Sequence, residues 1–437
     1  MSAPDLDDQL DVDRQLRVLV IGSGGREHAL ALALSADPGV AEVFAAPGNP
    51  GTAQVGRNHP VAAGDPEAVA TLAADLGVDL VVVGPEAPLV AGAADAVRGV
   101  GIACFGPSKE AAQLEGSKAF AKDVMAAAGV PTARARLCET ADEVAAALDA
   151  LGPPYVVKDD GLASGKGVVV TTDRTAAEAH AATCGRVVIE EYLDGPEVSL
   201  FAITDGSTVV PLQPAQDFKR AYDDDTGPNT GGMGAYSPLP WAPDGLVEEV
   251  LRTVLQPTVD ELARRGTPFS GLLYAGLALT SRGVRVVEFN ARFGDPETQP
   301  LLARLETPLG GLLYAAATGT LAEQPPLTWS DRAAVAVVLA AEDYPGNPVT
   351  GGVIDGLDVE GSDGTMIIHA GTALDRDGRP VSAGGRVLAV VGTGPELTTA
   401  RHAAYATMAR IELAGSFYRT DIARQAAAAD AEGAARS

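Results

Sequence analysis

The sequence predicts a multidomain protein of α/β and α+β character, with an N-terminal α/β domain built on a parallel sheet. Three observations lead to this prediction. At 437 residues the chain exceeds what one hydrophobic core normally fills, so we expect about three domains. Short apolar runs alternate with helical stretches up to residue 117, as in parallel sheets covered by helices. After Pro325 the apolar pattern restarts, which indicates a separate α+β domain.

The N-terminal domain is predicted over residues 16–117. Its helices are expected from about residue 27 and over residues 66–76, and its strands at residues 18–21, 42–45 and 80–83. The preceding segment, residues 1–15, is acidic and lacks an apolar run. We therefore expect a disordered tail there and no signal peptide.

The central domain is predicted over residues 118–325. Its strands are expected at residues 155–158, 167–171, 186–190, 198–204, 273–279 and 284–289. Between them, residues 217–236 are rich in glycine and show little periodicity. A loop this long inside a compact domain is usually functional.

The C-terminal α+β domain is predicted over residues 326–425. A helix is expected at about residues 397–411, after strands at residues 333–339, 365–369 and 386–391. The alanine-rich residues 426–437 are expected to be frayed.

Charge and cysteine content restrict the partners. The formal net charge of −26 argues against nucleic acid or an anionic membrane surface, because such a protein repels phosphates. No apolar run approaches the length of a membrane span. Cys104, Cys138 and Cys184 are odd in number and lack CxxC spacing, which favours reduced thiols in a cytoplasm.

Lysine is scarce, and its positions are informative. Lys109, Lys118, Lys122, Lys158, Lys166 and Lys219 are the only lysines in the chain. Where arginine fills ordinary surface positions, a remaining lysine indicates a place that needs a compact charge on a flexible stem.

Glu288 and Asn290 lie two residues apart at the end of a predicted strand, with Arg292 two residues further on. Side chains at i and i+2 of a strand share a face, so a carboxylate and an amide oxygen would point together. Proteins usually hold Mg²⁺ through one or two such oxygens and leave other positions to water and substrate phosphates. The pair is therefore a candidate Mg²⁺ or Mn²⁺ site, with a solvated strand edge as the simpler alternative.

Three further segments have the chemistry of a phosphate or nucleotide site. Residues 161–167 form a glycine-rich hairpin that differs from a Walker loop in spacing and can instead fold over a triphosphate, with Lys158 and Lys166 supplying charge. Residues 22–28 follow a strand and open a helix, but Glu27 takes the third glycine position of a dinucleotide fingerprint. We therefore expect a phosphate other than that of NAD, with a simple tight turn between strand and helix as the alternative. Residues 190–197 form an acidic strand end suited to an adenine and a ribose, or simply a turn.

Together these segments resemble the ATP-grasp ligases, and the chain is similar to the phosphoribosylamine–glycine ligase (glycinamide ribonucleotide synthetase) family over about residues 17–422. Several of the matching stretches are long and specific to that family. They are residues 22–29, 46–49, 83–89, 113–120, 161–168, 225–238, 288–299, 344–346, 369–372 and 384–388.

The resemblance implies a two-lobed α+β ATP-grasp domain whose mobile lid covers about residues 130–190. It implies ligation of glycine to 5-phosphoribosylamine through a glycyl phosphate intermediate. The products would be glycinamide ribonucleotide, ADP and phosphate, in de novo purine (IMP) biosynthesis. ATP and Mg²⁺ or Mn²⁺ would be needed, and the other partners would be small molecules. We expect a cytoplasmic monomer.

The resemblance also implies roles for individual residues. Glu288 and Asn290 would bind the metal, and catalytic roles would fall to Arg292, Lys219 and Asp217. ATP would be bound by Lys118, Lys158, Gly161, Ser164, Lys166, Gly167, Glu190, Glu191, Leu193 and Glu197. The substrates would be bound by Gly24, Gly25, Asn49, Glu86, Asn229, Thr230, Gly231, Gly232 and Asp295.

The chain departs from the family at three places, and two other functions stay open. Asp159 stands where a small residue is usual, Phe218 replaces a common histidine, and residues 180–186 are shorter than usual. One alternative is another ATP-grasp carboxylate–amine ligase. The other is a non-catalytic nucleotide-binding regulatory protein.

Overall fold

The computed structural model describes residues 15–162, 167–357 and 364–434. The tail predicted for residues 1–15 lies, up to residue 14, outside these described residues. The candidate nucleotide residues Ser164 and Lys166 also lie outside them.

The N-terminal unit is a parallel sheet covered by helices, as predicted. Its strands lie in the order β3-β2-β1-β4-β5, and all neighbouring pairs are parallel. The strands are β1 (Leu16–Gly22), β2 (Val40–Pro47), β3 (Arg57–Asn58), β4 (Leu80–Val83) and β5 (Ala103–Phe105). The helices are α1 (Gly25–Ser35), α2 (Thr52–Val55), α3 (Pro66–Leu76), α4 (Glu86–Ala91), α5 (Ala93–Gly99) and α6 (Gln113–Gly116).

From β1 the chain adds β2 and β3 on one side of the sheet, whereas β4 and β5 lie on the other side. This change of direction opens a crevice at the carboxyl ends of β1 and β4. Residues 18–21 of β1 and all of β4 are buried, which explains their continuous apolar runs. Ligands of open α/β sheets bind at this kind of reversal. The loop after β1 and the start of α4 at Glu86 border the crevice.

The next segment forms a small antiparallel sheet with its own core. After α7 (Lys118–Ala128), its elements are β6 (Ala135–Cys138), α8 (Ala141–Leu151), β7 (Tyr155–Asp159), β8 (Val168–Thr171), α9 (Arg174–Thr183) and β9 (Val187–Glu190). The strand order is β6-β9-β7-β8. Leu148, Val157, Ala177 and Ile189 belong to a hydrophobic cluster separate from the other cores. We call this unit the lid sheet.

The remaining central strands divide among three sheets, one of which is a two-stranded hairpin. They are β10 (Glu197–Asp205), β11 (Val209–Pro211), β12 (Gln216–Asp217), β13 (Arg220–Tyr222), β14 (Thr226–Asn229), β15 (Gly234–Ser237), β16 (Ser270–Thr280) and β17 (Gly283–Asn290). The antiparallel order β11-β10-β16-β17 forms the central sheet. The helices are α10 (Leu246–Val250), which continues through a π-helical turn at Leu251–Leu255 into α11 (Gln256–Arg264), then α12 (Thr298–Leu302) and α13 (Leu309–Thr318).

The C-terminal unit recruits strands from the central part of the chain. Its own elements are β18 (Ala333–Ala340), β19 (Thr365–His369), β20 (Thr372–Leu374), β21 (Pro380–Ser382), β22 (Arg386–Gly394), α14 (Leu397–Met408) and α15 (Arg424–Ala434). Its main sheet has the order β12-β15-β18-β22-β19.

Two expectations are wrong here. Residues 217–236 are not an irregular loop, because β15 pairs with β18 in the register Gly234↔Val337 to Ser237↔Ala334. The tail from residue 426 is not frayed up to Ala434, because α15 packs Ala426 and Ala427 into the largest core. In the described part of the chain, no helix combines the length and apolar character needed to cross a membrane. Cys104, Cys138 and Cys184 are free thiols.

Candidate functional site

Glu288 and Asn290 lie at the end of β17, just after a β-bulge. The register with β16 shifts between Gly276 and Leu277, so that Val287 is the extra residue. Beyond the bulge the strand is regular, with Glu288 opposite Gly276 and Asn290 opposite Tyr274. The two side chains therefore share a face, as predicted.

The Glu288 carboxylate is half-buried, and no hydrogen bond or ion pair among the described residues uses it. The same residues contain no cluster of three or more His, Cys, Asp or Glu side chains able to hold a metal. A hard cation at this place would therefore take one carboxylate and one amide oxygen from the protein and its other ligands from substrate and water.

Lys118 and Lys158 approach Glu288 from two elements. Ser117 caps α7 through its hydroxyl, which accepts the Phe120 N–H at 3.2 Å and places Lys118 at the first helical position. Burial lowers the pKa of Lys118, while the charge of Glu288 opposes the shift. Burial has the same effect on Lys158, but Glu190 and Glu288 outweigh it and raise the pKa of Lys158. Both ammonium groups are therefore close enough to interact with the Glu288 charge.

Lys122 is a site residue that sequence reasoning missed. The Glu190 carboxylate is buried between two ammonium groups, with Lys122 Nζ and Lys158 Nζ each 2.8 Å from one of its oxygens. Lys122 also donates to the Thr132 hydroxyl at 2.8 Å. Lys122 is one of only six lysines in the sequence, and that scarcity is the signal that could have identified it.

The predicted adenine edge lies at the end of β9. The Glu191 carboxylate is held by Arg134 Nε at 2.8 Å and Arg282 Nη2 at 3.2 Å. Burial opposes these contacts, but they lower the pKa of Glu191 to about 2. The carboxylates of Glu190 and Glu191 are thus occupied by protein cations, and the Glu191 N–H donates to the Arg134 carbonyl at 2.9 Å. This leaves the Glu191 carbonyl and the half-buried Leu193 to meet a base.

The base of the glycine-rich hairpin is docked on α7. Asp160 Oδ1 accepts the Ala119 N–H at 3.0 Å, and Lys118 Nζ donates to the Gly161 carbonyl at 2.9 Å. The Asp159 N–H donates to the Gly167 carbonyl at 2.8 Å. These bonds fix both ends of the hairpin beside Lys118.

Asp217 and Lys219 lie together on one side of an extended segment. Lys219 Nζ is 3.8 Å from Asp217 Oδ1 and forms a closer ion pair with Glu197. Burial, helped by Glu297 and Glu197 and opposed by Lys219, raises the pKa of Asp217 to about 7. Glu197, predicted to meet the ribose, is paired with Lys219 in this structure.

A buried hydrogen-bond network around Glu297 lies close to Asp217 and Lys219. Glu297 Oε1 accepts hydrogen bonds from the Tyr274 hydroxyl at 2.7 Å and the Ser199 hydroxyl at 3.1 Å. Glu297 is 3% exposed, so its position is fixed by these partners. It was not among the predicted site residues.

Arg292 lies between two carboxylates. Its guanidinium is 3.2 Å from Glu86 Oε2 and 3.0 Å from Glu115 Oε1, and it donates to Asn290 Oδ1 at 3.3 Å. Glu115 also accepts the Ala291 N–H at 2.7 Å. Burial raises the pKa of Glu115, although Arg292 opposes the shift. Glu115 was not predicted as a site residue, although it lies in a stretch that matches the family.

The start of α1 meets the central part of the chain closely. A Cβ on Gly25 would lie 2.9 Å from Gln299 Nε2 and 3.3 Å from Asp295 Oδ1, so the contact requires glycine. Glu27, at the third glycine position of the dinucleotide pattern, turns back so that its carboxylate accepts the Gly24 N–H at 2.5 Å. Asp295 in turn pairs with Arg386 of the C-terminal unit at 3.1 Å. Gly24, Gly25 and Asp295 therefore meet where all three units converge.

Asn49 joins the N-terminal and C-terminal units. Its amide nitrogen donates to the carbonyls of Ser23 at 2.9 Å and His369 at 3.1 Å. Its amide oxygen accepts the N–H groups of Gly51 and Thr52. These four hydrogen bonds use both N–H donors and both oxygen lone pairs of the Asn49 amide. Asn49 therefore stabilises the wall of the crevice.

Residues 229–232 form the opposite wall. Thr230 donates through its N–H and its hydroxyl to the Lys219 carbonyl, at 2.7 and 2.9 Å. Gly231 donates to the Tyr344 hydroxyl at 2.9 Å, and Arg386 donates to the carbonyls of Gly231 and Gly232. Asn229 pairs with Arg220 across the β13–β14 hairpin. Arg386 and Tyr344 are further residues that the prediction missed.

The lid sheet and the central sheet approach each other across Lys118, Lys158 and Glu288, and this arrangement defines the class of the protein as an ATP-grasp ligase. Family models for phosphoribosylglycinamide synthetase match the N domain over residues 16–115, the ATP-grasp (A) domain over 116–298 and the C domain over 334–425. The chain therefore belongs to the phosphoribosylglycinamide synthetase family. The predicted resemblance and three-domain architecture are confirmed.

Similar proteins agree with this membership. The phosphoribosylamine–glycine ligase of Streptomyces coelicolor is 67% identical over 95% of this chain and 100% of its own length. That of Mycobacterium bovis is 58% identical over 94% of this chain and 99% of its own. The crystal structure of phosphoribosylamine–glycine ligase from Thermotoga maritima superposes with a TM-score of 0.82 at 34% identity, covering 93% of this chain and 100% of the other.

Proposed function

We propose that this chain catalyses the step for which its relatives are named, the ATP-dependent joining of glycine to 5-phosphoribosylamine in de novo purine biosynthesis. The observation that carries the proposal is the common face of Glu288 and Asn290, opposed by Lys118 and Lys158. This face combines two hard oxygen ligands with cations suited to a triphosphate.

The nucleotide would lie between the lid sheet and the central sheet. Lys118 and Lys158 would contact its phosphates, and the hairpin with Gly161, Ser164, Lys166 and Gly167 would cover them. The backbone of Glu190, Glu191 and Leu193 would border the adenine. Glu197 would reach the ribose after leaving Lys219. We propose that the lid, about residues 130–190, closes over the nucleotide as a unit, since the lid sheet has its own core.

Glu288 and Asn290 would hold Mg²⁺ or Mn²⁺ against the phosphates. The carboxylate and amide oxygens fit either ion, and the free Glu288 carboxylate is the feature of the structure that best fits a cation. When bound, the ion would neutralise charge on the phosphates.

In the first step, a glycine carboxylate oxygen attacks the γ-phosphorus and the bond from phosphorus to the ADP oxygen breaks. The products are glycyl phosphate and ADP. Arg292 would orient the glycine carboxylate through its positive charge and through the one Nη1 hydrogen that no contact among the described residues uses. Glu86 and Glu115 hold the guanidinium in place. Such a step depends on positioning and charge, so the protein needs no nucleophile of its own.

In the second step, the amine of phosphoribosylamine attacks the glycyl carbonyl carbon and phosphate leaves. The attacking nitrogen loses a proton, and we propose Asp217 as its acceptor. A carboxylate with a pKa near neutrality accepts such a proton well, and Lys219 would stabilise the negative charge that develops on oxygen. Gly24, Gly25, Asn49, Glu86 and Asp295 would form one wall of the sugar phosphate pocket, and Asn229, Thr230, Gly231 and Gly232 the other.

The proposal is tested by measuring ADP release while omitting one component at a time. Phosphoribosylamine is unstable and would be generated in the assay. We expect turnover only with glycine, phosphoribosylamine, ATP and a divalent cation together. Turnover with a different amino acid would favour another carboxylate–amine ligase of the same class. ATP binding without turnover would favour a regulatory protein.

The chain's state in solution is a further proposal. We propose a monomer in the cytoplasm that binds neither nucleic acid nor membrane. Light scattering at assay concentration tests the first point, because a dimer would have twice the mass.

A further inference from the structure

Phe218 lies between Asp217 and Lys219 and faces the other way along the extended segment. Neighbouring residues of an extended chain alternate in direction, so the segment presents its two proposed catalytic groups on one side and the Phe218 ring on the other. The guanidinium carbon of Arg419 lies over this ring, 4.9 Å from its centroid. That distance is within the range of a cation–π interaction.

Arg419 is buried, at 1% exposure, and each of its three guanidinium nitrogens donates a hydrogen bond. Asp421 accepts Nε at 2.7 Å and Nη2 at 2.6 Å, which is a two-point contact. Nη1 donates to Asp225 Oδ1 at 2.8 Å and to the Arg220 carbonyl at 3.2 Å. One side chain near the C terminus thus touches both Phe218 and the turn that follows Lys219.

The turn needs such support because its backbone is strained. Asp224 and Asp225 have φ angles of 55° and 53°, a region that L-residues other than glycine adopt at a cost. Asp421 Oδ2 accepts the Asp224 N–H at 2.9 Å, and Asp223 Oδ1 accepts the Thr420 N–H at 2.8 Å. Residues 419–421 therefore form hydrogen bonds with all three aspartates of the turn, at positions 223, 224 and 225.

We propose that Arg419 is a positioning residue for the ligation step, holding Asp217 and Lys219 in place through Phe218 and the turn at residues 223–225. This inference rests on the proposed function. It also gives Phe218 a role, because its ring is the surface on which the Arg419 guanidinium lies. A displacement of about 1 Å at a reacting group can lower a rate by about a hundredfold, so the effect of losing the support is measurable.

The test compares Arg419→Met with Arg424→Gln. Both remove a cation from the same cluster of aspartates, but Arg424 pairs with Asp224 at the surface, where both side chains are exposed. We expect Arg419→Met to lower kcat at least tenfold, to leave the KM for ATP unchanged and to shift the pH at which kcat is half-maximal. We expect Arg424→Gln to match the unmodified protein.

A second variant keeps the proposal testable if Arg419→Met does not fold. Phe218→Leu removes the ring and leaves every ion pair of Arg419 intact, and we expect the same pattern with at least a threefold loss of kcat. Unchanged kcat and pH profile in folded Arg419→Met, or in Phe218→Leu if only that variant folds, would overturn the proposal. Absence of ligase turnover in the unmodified protein would instead contradict the proposed function.

Discussion

The ammonium group of Lys158 donates a hydrogen bond to the carbonyl oxygen of Val287, 3.0 Å away. Val287 is the extra residue of the bulge in β17, where the regular ladder is interrupted. Lys158 lies on the lid sheet, so this bond joins the lid to the strand that presents Glu288. The bulge therefore has two effects, since it orients Glu288 and offers a carbonyl to the lysine that we propose contacts the phosphates.

Replacing Lys158 should cost more activity than replacing Lys122. Both lysines pair with Glu190, but only Lys158 also interacts with Glu288. We expect Lys158→Met to lower kcat at least a hundredfold and to raise the KM for ATP, because a phosphate contact is lost. Lys122→Met should have a smaller effect on kcat. Equal losses in steady-state assays would mean that Lys158 acts only by pairing with Glu190.

Glu288→Ala should abolish turnover and leave the fold intact. The carboxylate has no hydrogen bond or ion pair among the described residues, and the buried Lys158 keeps its ion pair with Glu190 when Glu288 is removed. A rate assay and circular dichroism check the two parts of this prediction. Glu248→Gln, at an exposed acid on α10, is the control and should keep full activity. Glu288→Ala with more than a tenth of normal kcat would contradict the proposed metal site.

The rate should depend on pH through Asp217. Burial and the nearby carboxylates Glu297 and Glu197 raise the pKa of Asp217 to about 7, against the effect of Lys219, and the Tyr274 hydroxyl is also close. A base must be deprotonated to act, so kcat should rise with pH, reach half of its maximum at about pH 7 and level off at higher pH. Asp217→Asn should lower kcat about 10²- to 10⁴-fold and remove this rise. An unchanged pH profile in that variant would exclude Asp217 as the proton acceptor.

Mild acid should loosen the contact between the N-terminal and C-terminal units. His28 Nδ1 accepts the backbone N–H of His369 at 2.8 Å, and the His28 side chain is 3% exposed. Burial, with the neighbouring His369, lowers the pKa of His28 from 6.5 to about 3. The unfolded chain therefore binds more protons below pH 6.5, and stability falls as the pH falls. The expected loss between pH 7 and 5.5 is about 1 kcal/mol.

Urea unfolding at these two pH values measures the effect. His28→Asn keeps an acceptor for the His369 N–H but cannot be protonated, so its stability should fall less over this range. His402→Asn, at an exposed position on α14, should behave like the unmodified protein. Equal pH dependence in His28→Asn and the unmodified protein would show that His28 is not the group responsible.

Local sequence patterns predicted much of the fold because they depend on neighbouring residues. The apolar runs of β1 and β4 and the helix at Pro66–Leu76 were predicted at nearly their observed positions. The two-residue spacing of Glu288 and Asn290 likewise predicted their common face. In each case the periodicity of the backbone alone determines the direction of the side chains.

Contacts between distant segments were not predictable in this way. The pairing of β15 with β18 joins residues about a hundred positions apart, and no local pattern in residues 217–236 indicated it. Arg386 and Arg419 lie in the C-terminal part of the chain. Arg386 nevertheless contacts the wall of the site at Gly231, and Arg419 contacts the turn at Asp225. Lys122 and Glu115 are single charged residues whose importance comes from their partners in the fold.

The central claim is that Glu288 and Asn290 hold a divalent cation against the phosphates of ATP. Crystals grown with a non-hydrolysable ATP analogue and Mn²⁺, measured at the manganese absorption edge, test it directly. We predict an anomalous peak about 2.0–2.3 Å from an oxygen of each side chain and beside the γ-phosphate. A peak at any other place, or side chains of Glu288 and Asn290 turned away from the phosphates, would contradict this account.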